Sequence, residues 1–331
     1  MTGSIHAALP LWLDRPATEA LQIAQAAREA GLDTLWIGEM ATFDAFTLAT
    51  AIGIRTPGLH LKIGPLPISV RNPVGIALGA SSVAELTGSP VDVALGASNP
   101  LIVSGWHGRD YERSLTRMRE TIACLRPMLA GQRSHFDGSL VSSHHFTLRN
   151  RLPHTRIAVG ALGPQMIQLA AQHADEIVLN LVSPHHVSKA RQQIDAAADD
   201  AGHPRPQLSV WVPIALNPGE AAIGQAARQL AVYLGAPGYS TMFCELGFAD
   251  LVAHARAGMP RHQLAAAIPT ELLAAIGAIG TSEEITARLH AYLRAGADTV
   301  AVVPCTAEDP AGRAALHCAA TYPFHYSTTE E

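Results

Sequence analysis

Short apolar runs rich in β-branched residues recur along the chain, and a helical pattern follows most of them. Candidate strands are residues 5–10 (IHAALP), 34–37 (TLWI), 61–64 (LKIG), 91–95 (VDVAL), 156–159 (RIAV), 176–181 (EIVLNL), 208–214 (LSVWVPI) and 299–303 (TVAVV). The stretch 16–33 places Ala20, Ile23, Ala24, Ala27 and Ala30 on one helical face and ends at Gly31, a natural C-terminal stop. Similar helical segments are predicted over 72–86, 111–131, 163–174, 186–202, 219–235 and 282–296.

Strands that alternate with helices pair in parallel, and strands that are apolar on both faces are buried on both. Eight such strands favour a closed (β/α)₈ TIM barrel, one α/β domain over 1–331, above an open doubly wound sheet. The missing GxGxxG after the first strand points the same way. Two stretches break the alternation: 131–155 reads as a polar, hairpin-like insertion, and 237–280 as a helical excursion before the last βα unit. Insertions of this kind commonly cap the active-site end of a barrel or build an interface.

The third run contains a further anomaly. In 61-LKIGPLPISV-70, Pro65 and Pro67 interrupt a strand pattern, although proline cannot donate to a sheet ladder. Strand 3 is therefore expected to end at Gly64–Pro65, at the barrel mouth.

Composition narrows the class. Apolar residues make up 48% and charged residues 15% of the 331, enough for a large core. A formal net charge of −5 gives no basis for a nucleic-acid or anionic-membrane partner. Lys62 and Lys189 are the only lysines among 23 basic residues. Cys124, Cys244, Cys305 and Cys318 are scattered without a CxxC pair, as expected for free thiols. No apolar run is long enough to span a bilayer, and the first ten residues lack a secretory pattern. The expectation is a soluble cytoplasmic protein.

Barrel enzymes place their chemistry at the C-terminal strand ends. Those ends hold Glu39 and Met40, Gly64 to Pro67, Ala97-Ser98-Asn99, the segment Gly160-Ala161-Leu162-Gly163-Pro164, Asn180, Pro213 and Pro304-Cys305. Glu39 is the one carboxylate in the set, so acid–base or metal apparatus is scarce and no metal site is expected. Such a mouth suits a large planar cofactor that carries the chemistry itself. Gly163-Pro164 reads as a helix start whose free amides could meet an anion, although an ordinary tight βα turn explains it equally. His107 could donate a proton and Trp106 could stack on a ring, against the blander reading of an exposed loop. The pairs His144-His145 and His185-His186 lack metal-ligand spacing.

Taken together, 30-AGLDTLWIGE-39, 64-GPLPISVRNPVGIA-77, 93-VALGASN-99, 117-RMRETIACLRPMLAG-131 and 158-AVGALGPQMIQLAAQHADEIV-178 resemble the luciferase-like monooxygenase superfamily. The likeness is closest to its coenzyme F420-dependent oxidoreductase branch and covers roughly residues 5–215. It implies a bacterial-luciferase-like barrel, a homodimer through barrel helices, and hydride transfer at C5 of a deazaflavin bound at the mouth, with a small-molecule substrate. Gly160 to Pro164 match the segment whose amides hold the cofactor phosphate, and Ala97, Ser98 and Asn99 match the loop at the ring edge. Glu39 matches an acidic position near ring or substrate, with Met40 and Trp106 lining the substrate pocket. Many relatives carry histidine where this chain has Met40, which leaves Glu39 and His107 as the catalytic candidates. Pro67 falls where relatives form a cis bulge against the ring, so Leu66–Pro67 is expected to be cis, with both residues contacting the cofactor. The alternatives are an FMN-dependent monooxygenase that uses O₂ and a non-catalytic barrel that binds a flavin or deazaflavin. An aldolase-type lyase lacks a Schiff-base lysine at a strand end.

Overall fold

The computed structural model describes residues 3–10, 15–39 and 41–321. Its strands are β1 (Ser4–Ala8), β2 (Thr34–Ile37), β3 (His60–Pro67), β4 (Val91–Gly96), β5 (His135–Asp137), β6 (Ser142–His144), β7 (Ile157–Gly160), β8 (Glu176–Asn180), β9 (Gln207–Leu216), β10 (Ala278–Gly280) and β11 (Thr299–Pro304). The ring runs β1-β2-β3-β4-β7-β8-β9-β11 and closes where β11 pairs with β1, every pairing being parallel. β10 extends the sheet beside β9, and β5 with β6 forms a separate antiparallel hairpin. The eight-stranded barrel expected from the alternation is present.

Two cores result. The larger lies between the barrel wall and the helices. The smaller fills the lumen with Ala8, Trp36, Ala94, Ala158, Val178, Trp211, Ala301 and Val303. Four alanines on facing strands make room for two indoles, which meet edge to face with centroids 5.7 Å apart. Below them the lumen is polar: Lys62 Nζ lies 2.5 Å from Glu176 Oε2, and Ser209 Oγ donates to Glu176 Oε1 at 2.5 Å.

Several expectations change in detail. β3 runs through both prolines to Pro67 instead of ending at Gly64. Its register against β4 shifts between Ile63 and Leu66, so the ladder is interrupted where proline could not donate anyway. The cis bond is Gly64–Pro65, not Leu66–Pro67. A helix at Ala45–Arg55, absent from the predicted set, follows β2. Its sequence AFTLATAIGIR is apolar or β-branched with no charged face, so periodicity has little to register; Asp44 caps it through Thr47 N at 2.8 Å.

Residues 131–155 hold the β5–β6 hairpin. Its turn is fastened by the Glu120 carboxylate, which accepts from Ser139 N, Leu140 N and Val141 N at 2.8–3.0 Å. Residues 237–280 form the short helices Tyr239–Glu245, Ala249–Arg256, Arg261–Ala267 and Thr270–Ile276, then β10. Among the described residues no helix is long and apolar enough to cross a membrane.

Candidate functional site

The centre of the mouth is built by β3, β4 and β7. Gly64 has φ +128°, and a side chain there would strike the Ala94 carbonyl. A Cβ at Gly96 would sit 2.9 Å from Pro65 Cβ, and one at Gly160 would sit 3.3 Å from Pro65 Cγ. Three glycines on adjacent strands thus let the Pro65 ring lie across the strand ends, where it remains partly exposed. Trp211 stands in the lumen with its indole nitrogen unpartnered.

The expected cis contact is therefore misplaced by two residues. Leu66 is fully buried in the outer core and pairs with Leu95, while Pro67 is buried opposite Gly96. Side chains alternate along a strand, and the register shift at 64–65 turns Leu66 outward and leaves Pro65 on the mouth side.

After β7, Gly160 to Gly163 lead into the helix Pro164–His173, with Pro164 in its first turn. A Cβ at Gly163 would meet nothing within 4 Å, so space lies before the free amides of that first turn. Ala161 is buried in the outer core and Leu162 packs against it. After β4, Ser98 adopts φ +63° and its carbonyl accepts from the Tyr111 hydroxyl at 3.1 Å. Asn99 Oδ1 accepts from Ile102 N at 3.1 Å, which starts the π-helix Leu101–Trp106. Trp106 is 51% exposed and His107, which follows that turn, is exposed as well. Met40 lies outside the described residues.

Glu39 is engaged by Arg71, which opens the Arg-Asn-Pro before the next helix and carries no mark in the sequence of pairing with Glu39. Arg71 Nε donates to Glu39 Oε2 at 2.7 Å, and its Nη2 bonds both Glu39 Oε1 and Asp44 Oδ2. The guanidinium also lies 5.2 Å from the Phe46 ring centroid, and its hydrogen bonds to Glu39 and then to Asp44 raise its pKa despite burial. Glu39 is thus one end of an ion-pair clamp joining the β2 end to the helix Pro73–Thr87. Among the described residues no group of three or more His, Cys, Asp or Glu side chains is placed to hold a metal ion.

The residues at this mouth fit a planar cofactor with a phosphate-bearing tail. The apolar Pro65 ring offers a face, and the open Gly163 helix start offers amides to an anion. A luciferase-like monooxygenase family model matches residues 3–299. The chain belongs to the luciferase-like monooxygenase family.

Within this family, the luciferase-like chain is 24% identical to a provisionally named coenzyme F420-dependent oxidoreductase of Mycobacterium tuberculosis, over 93% of this chain and 97% of that one. Its fold is similar to the coenzyme F420-dependent tetrahydromethanopterin reductase of Methanopyrus kandleri, with TM-score 0.81 and 17% identity over 97% and 98% of the two chains. It is also similar, with TM-score 0.70 and 16% identity over 96% and 97%, to the oxygenating constituent of 3,6-diketocamphane monooxygenase from Pseudomonas putida in complex with FMN.

Proposed function

We propose that this luciferase-like protein is an F420-dependent oxidoreductase acting on a small organic substrate. The observation that carries the reading is the Pro65 ring laid over Gly96 and Gly160, a small-residue mouth almost free of acid–base groups. When bound, the deazaflavin would supply the hydride chemistry at its C5. Pro65, together with Ala97, Ser98 and Asn99, would hold the ring, and the amides from Gly160 to Pro164 would hold the tail phosphate. The Glu39–Arg71 clamp fixes one side of the rim, so Glu39 acts as an ion-paired carboxylate facing cofactor or substrate. His107 on its exposed loop is the remaining proton-transfer candidate, with Trp106 beside the substrate.

FMN is the second reading, because the same cradle would accept a flavin phosphate and one fold neighbour holds FMN. Titration of the protein with each cofactor separates the two. Quenching of deazaflavin fluorescence at micromolar concentrations, with FMN bound at least tenfold more weakly, is expected; the reverse order would overturn the proposal. A chain that binds F420 but leaves the reduced form unoxidised by every carbonyl tested would instead be a binding protein.

Exposed Ile54, Leu78 and Leu86 on the neighbouring helices Ala45–Arg55 and Pro73–Thr87 support pairing with a second copy of the chain. The four free cysteines support a reducing, cytoplasmic setting.

A further inference from the structure

The helical excursion brings a polar group to the mouth that the cofactor cradle does not use. On β8, Glu176 and Val178 face the lumen, so alternation turns Asn180 the same way. Asn180 is in register with Trp211 and closes β8 at the mouth. Over it lies the start of the helix Tyr239–Glu245: a Cβ on the preceding Gly238 would be 3.3 Å from Leu162 Cδ2, so the excursion packs on the 160–164 segment. Asn180 Nδ2 donates to the Tyr239 hydroxyl at 3.2 Å, and the Tyr233 ring lies 4.9 Å from that of Tyr239.

We propose that Asn180 and Tyr239 form a neutral oxygen-binding subsite that selects an uncharged substrate bearing a carbonyl or hydroxyl group. The proposal rests on the oxidoreductase reading above and names its substrate class. The Asn180 amide nitrogen, with two N–H groups, serves the phenol oxygens of Tyr239 and Tyr233, which leaves Asn180 Oδ1 as acceptor and the Tyr239 O–H as donor. A carbonyl accepts from Tyr239. A hydroxyl accepts from Tyr239 and donates to Asn180 Oδ1, so one pair holds both redox states of an alcohol carbon.

The subsite carries no charge. Burial pushes the Tyr233 phenol up to about 12 and raises Tyr239 as well, so both stay protonated at physiological pH. The cations of the barrel interior and rim are committed to other groups: Arg71 to Glu39 and Asp44, Lys62 to Glu176 and Lys189 to Glu245, while Arg256 donates to the Ser240 hydroxyl beside Tyr239. A carboxylate or phosphate placed here would lose water without gaining a counter-charge. The pair binds and orients; no proton transfer is assigned to it.

The test uses cyclohexanone and cyclohexanol as neutral probes, with cyclohexanecarboxylate and cyclohexyl phosphate as matched anions. Affinities are read by thermal shift and calorimetry on the full chain, with and without F420. Both neutral probes are expected to bind at least tenfold more tightly than either anion. Tyr239→Phe, which removes one oxygen, and Asn180→Ala should each weaken cyclohexanone binding at least tenfold and leave F420 affinity within about twofold. Anions that bind as tightly as the neutral probes, or neutral binding that both variants preserve, overturn the subsite. Failure of the wild-type chain to bind F420 overturns the cofactor reading instead, and the probe ratios on the cofactor-free chain still decide the subsite.

Discussion

Lys62 Nζ and Glu176 Oε2 meet at 2.5 Å inside the barrel, joining β3 to β8 through the lumen beneath the Trp36 ring. Both side chains are almost wholly buried, at 5% and 0% exposure, and Ser209 completes the carboxylate's partners. Removing one partner strands a buried charge, whereas removing both leaves a cavity that apolar groups can fill. Lys62→Met should lose about 3–5 kcal/mol of unfolding free energy by chemical denaturation, and Lys62→Met with Glu176→Met should recover much of it. A single variant that loses under about 1 kcal/mol would show that the pair contributes little.

His6 shares that floor with Lys62, His60 and Asp92. Burial first, then the charges of Lys62 and His60, lower its pKa from 6.5 to about 3. The unfolded chain therefore binds this proton between about pH 6.5 and 3 and the folded chain does not, so stability is present above pH 6.5 and falls as pH drops. One such site contributes at most about 1.4 kcal/mol per pH unit. Denaturation at pH 7 and pH 5 should show His6→Gln losing less stability than the wild type; equal losses would remove His6 from the account.

The Pro65 contact makes Gly96 a sensitive position. Gly96→Ala would set a methyl group 2.9 Å from Pro65 Cβ and displace the ring. Overpacking costs about 1–3 kcal/mol, and F420 affinity should fall at least tenfold. Unchanged affinity by fluorescence titration would show that the cofactor does not use this face.

Arg71 should resist conservative replacement. Its planar fork reaches Glu39 and Asp44 together, which a lysine cannot reproduce. Arg71→Lys and Arg71→Met should both cut turnover with reduced F420 by at least tenfold, against a stability loss of about 1–3 kcal/mol. Full activity in the lysine variant would reduce the clamp to a simple charge pair.

Leu78→Glu with Leu86→Glu places two charges on the exposed helix face. Light scattering should report half the wild-type mass with little change in unfolding midpoint. A wild-type chain that is already monomeric would remove the proposed pairing.

Much of the barrel was legible because alternation is a local property. Runs such as TLWI and VDVAL cannot sit comfortably outside a buried parallel sheet, and the segments between them announce helices by period. The helix Ala45–Arg55 escaped because it is apolar on all sides, so its period carries no signal. The mouth was half legible. Gly160 to Pro164, Glu39 and Asn180 stood out by position at strand ends, but their partners Arg71 and Tyr239 come from a loop and a distant excursion that only folding brings to them.

The sequence by itself determined the closed barrel, the glycine-rich mouth and the scarcity of acid–base groups there, since each follows from residue type and spacing along one strand or turn. Tertiary structure alone decided which proline faces the mouth, because a register shift of β3 against β4 turns Pro65 inward and buries Leu66. It also decided that Glu39 is clamped by Arg71 and that Tyr239 meets Asn180. Those are contacts between residues far apart in the chain, set by how strands and loops converge on one end of the barrel and not by any local pattern.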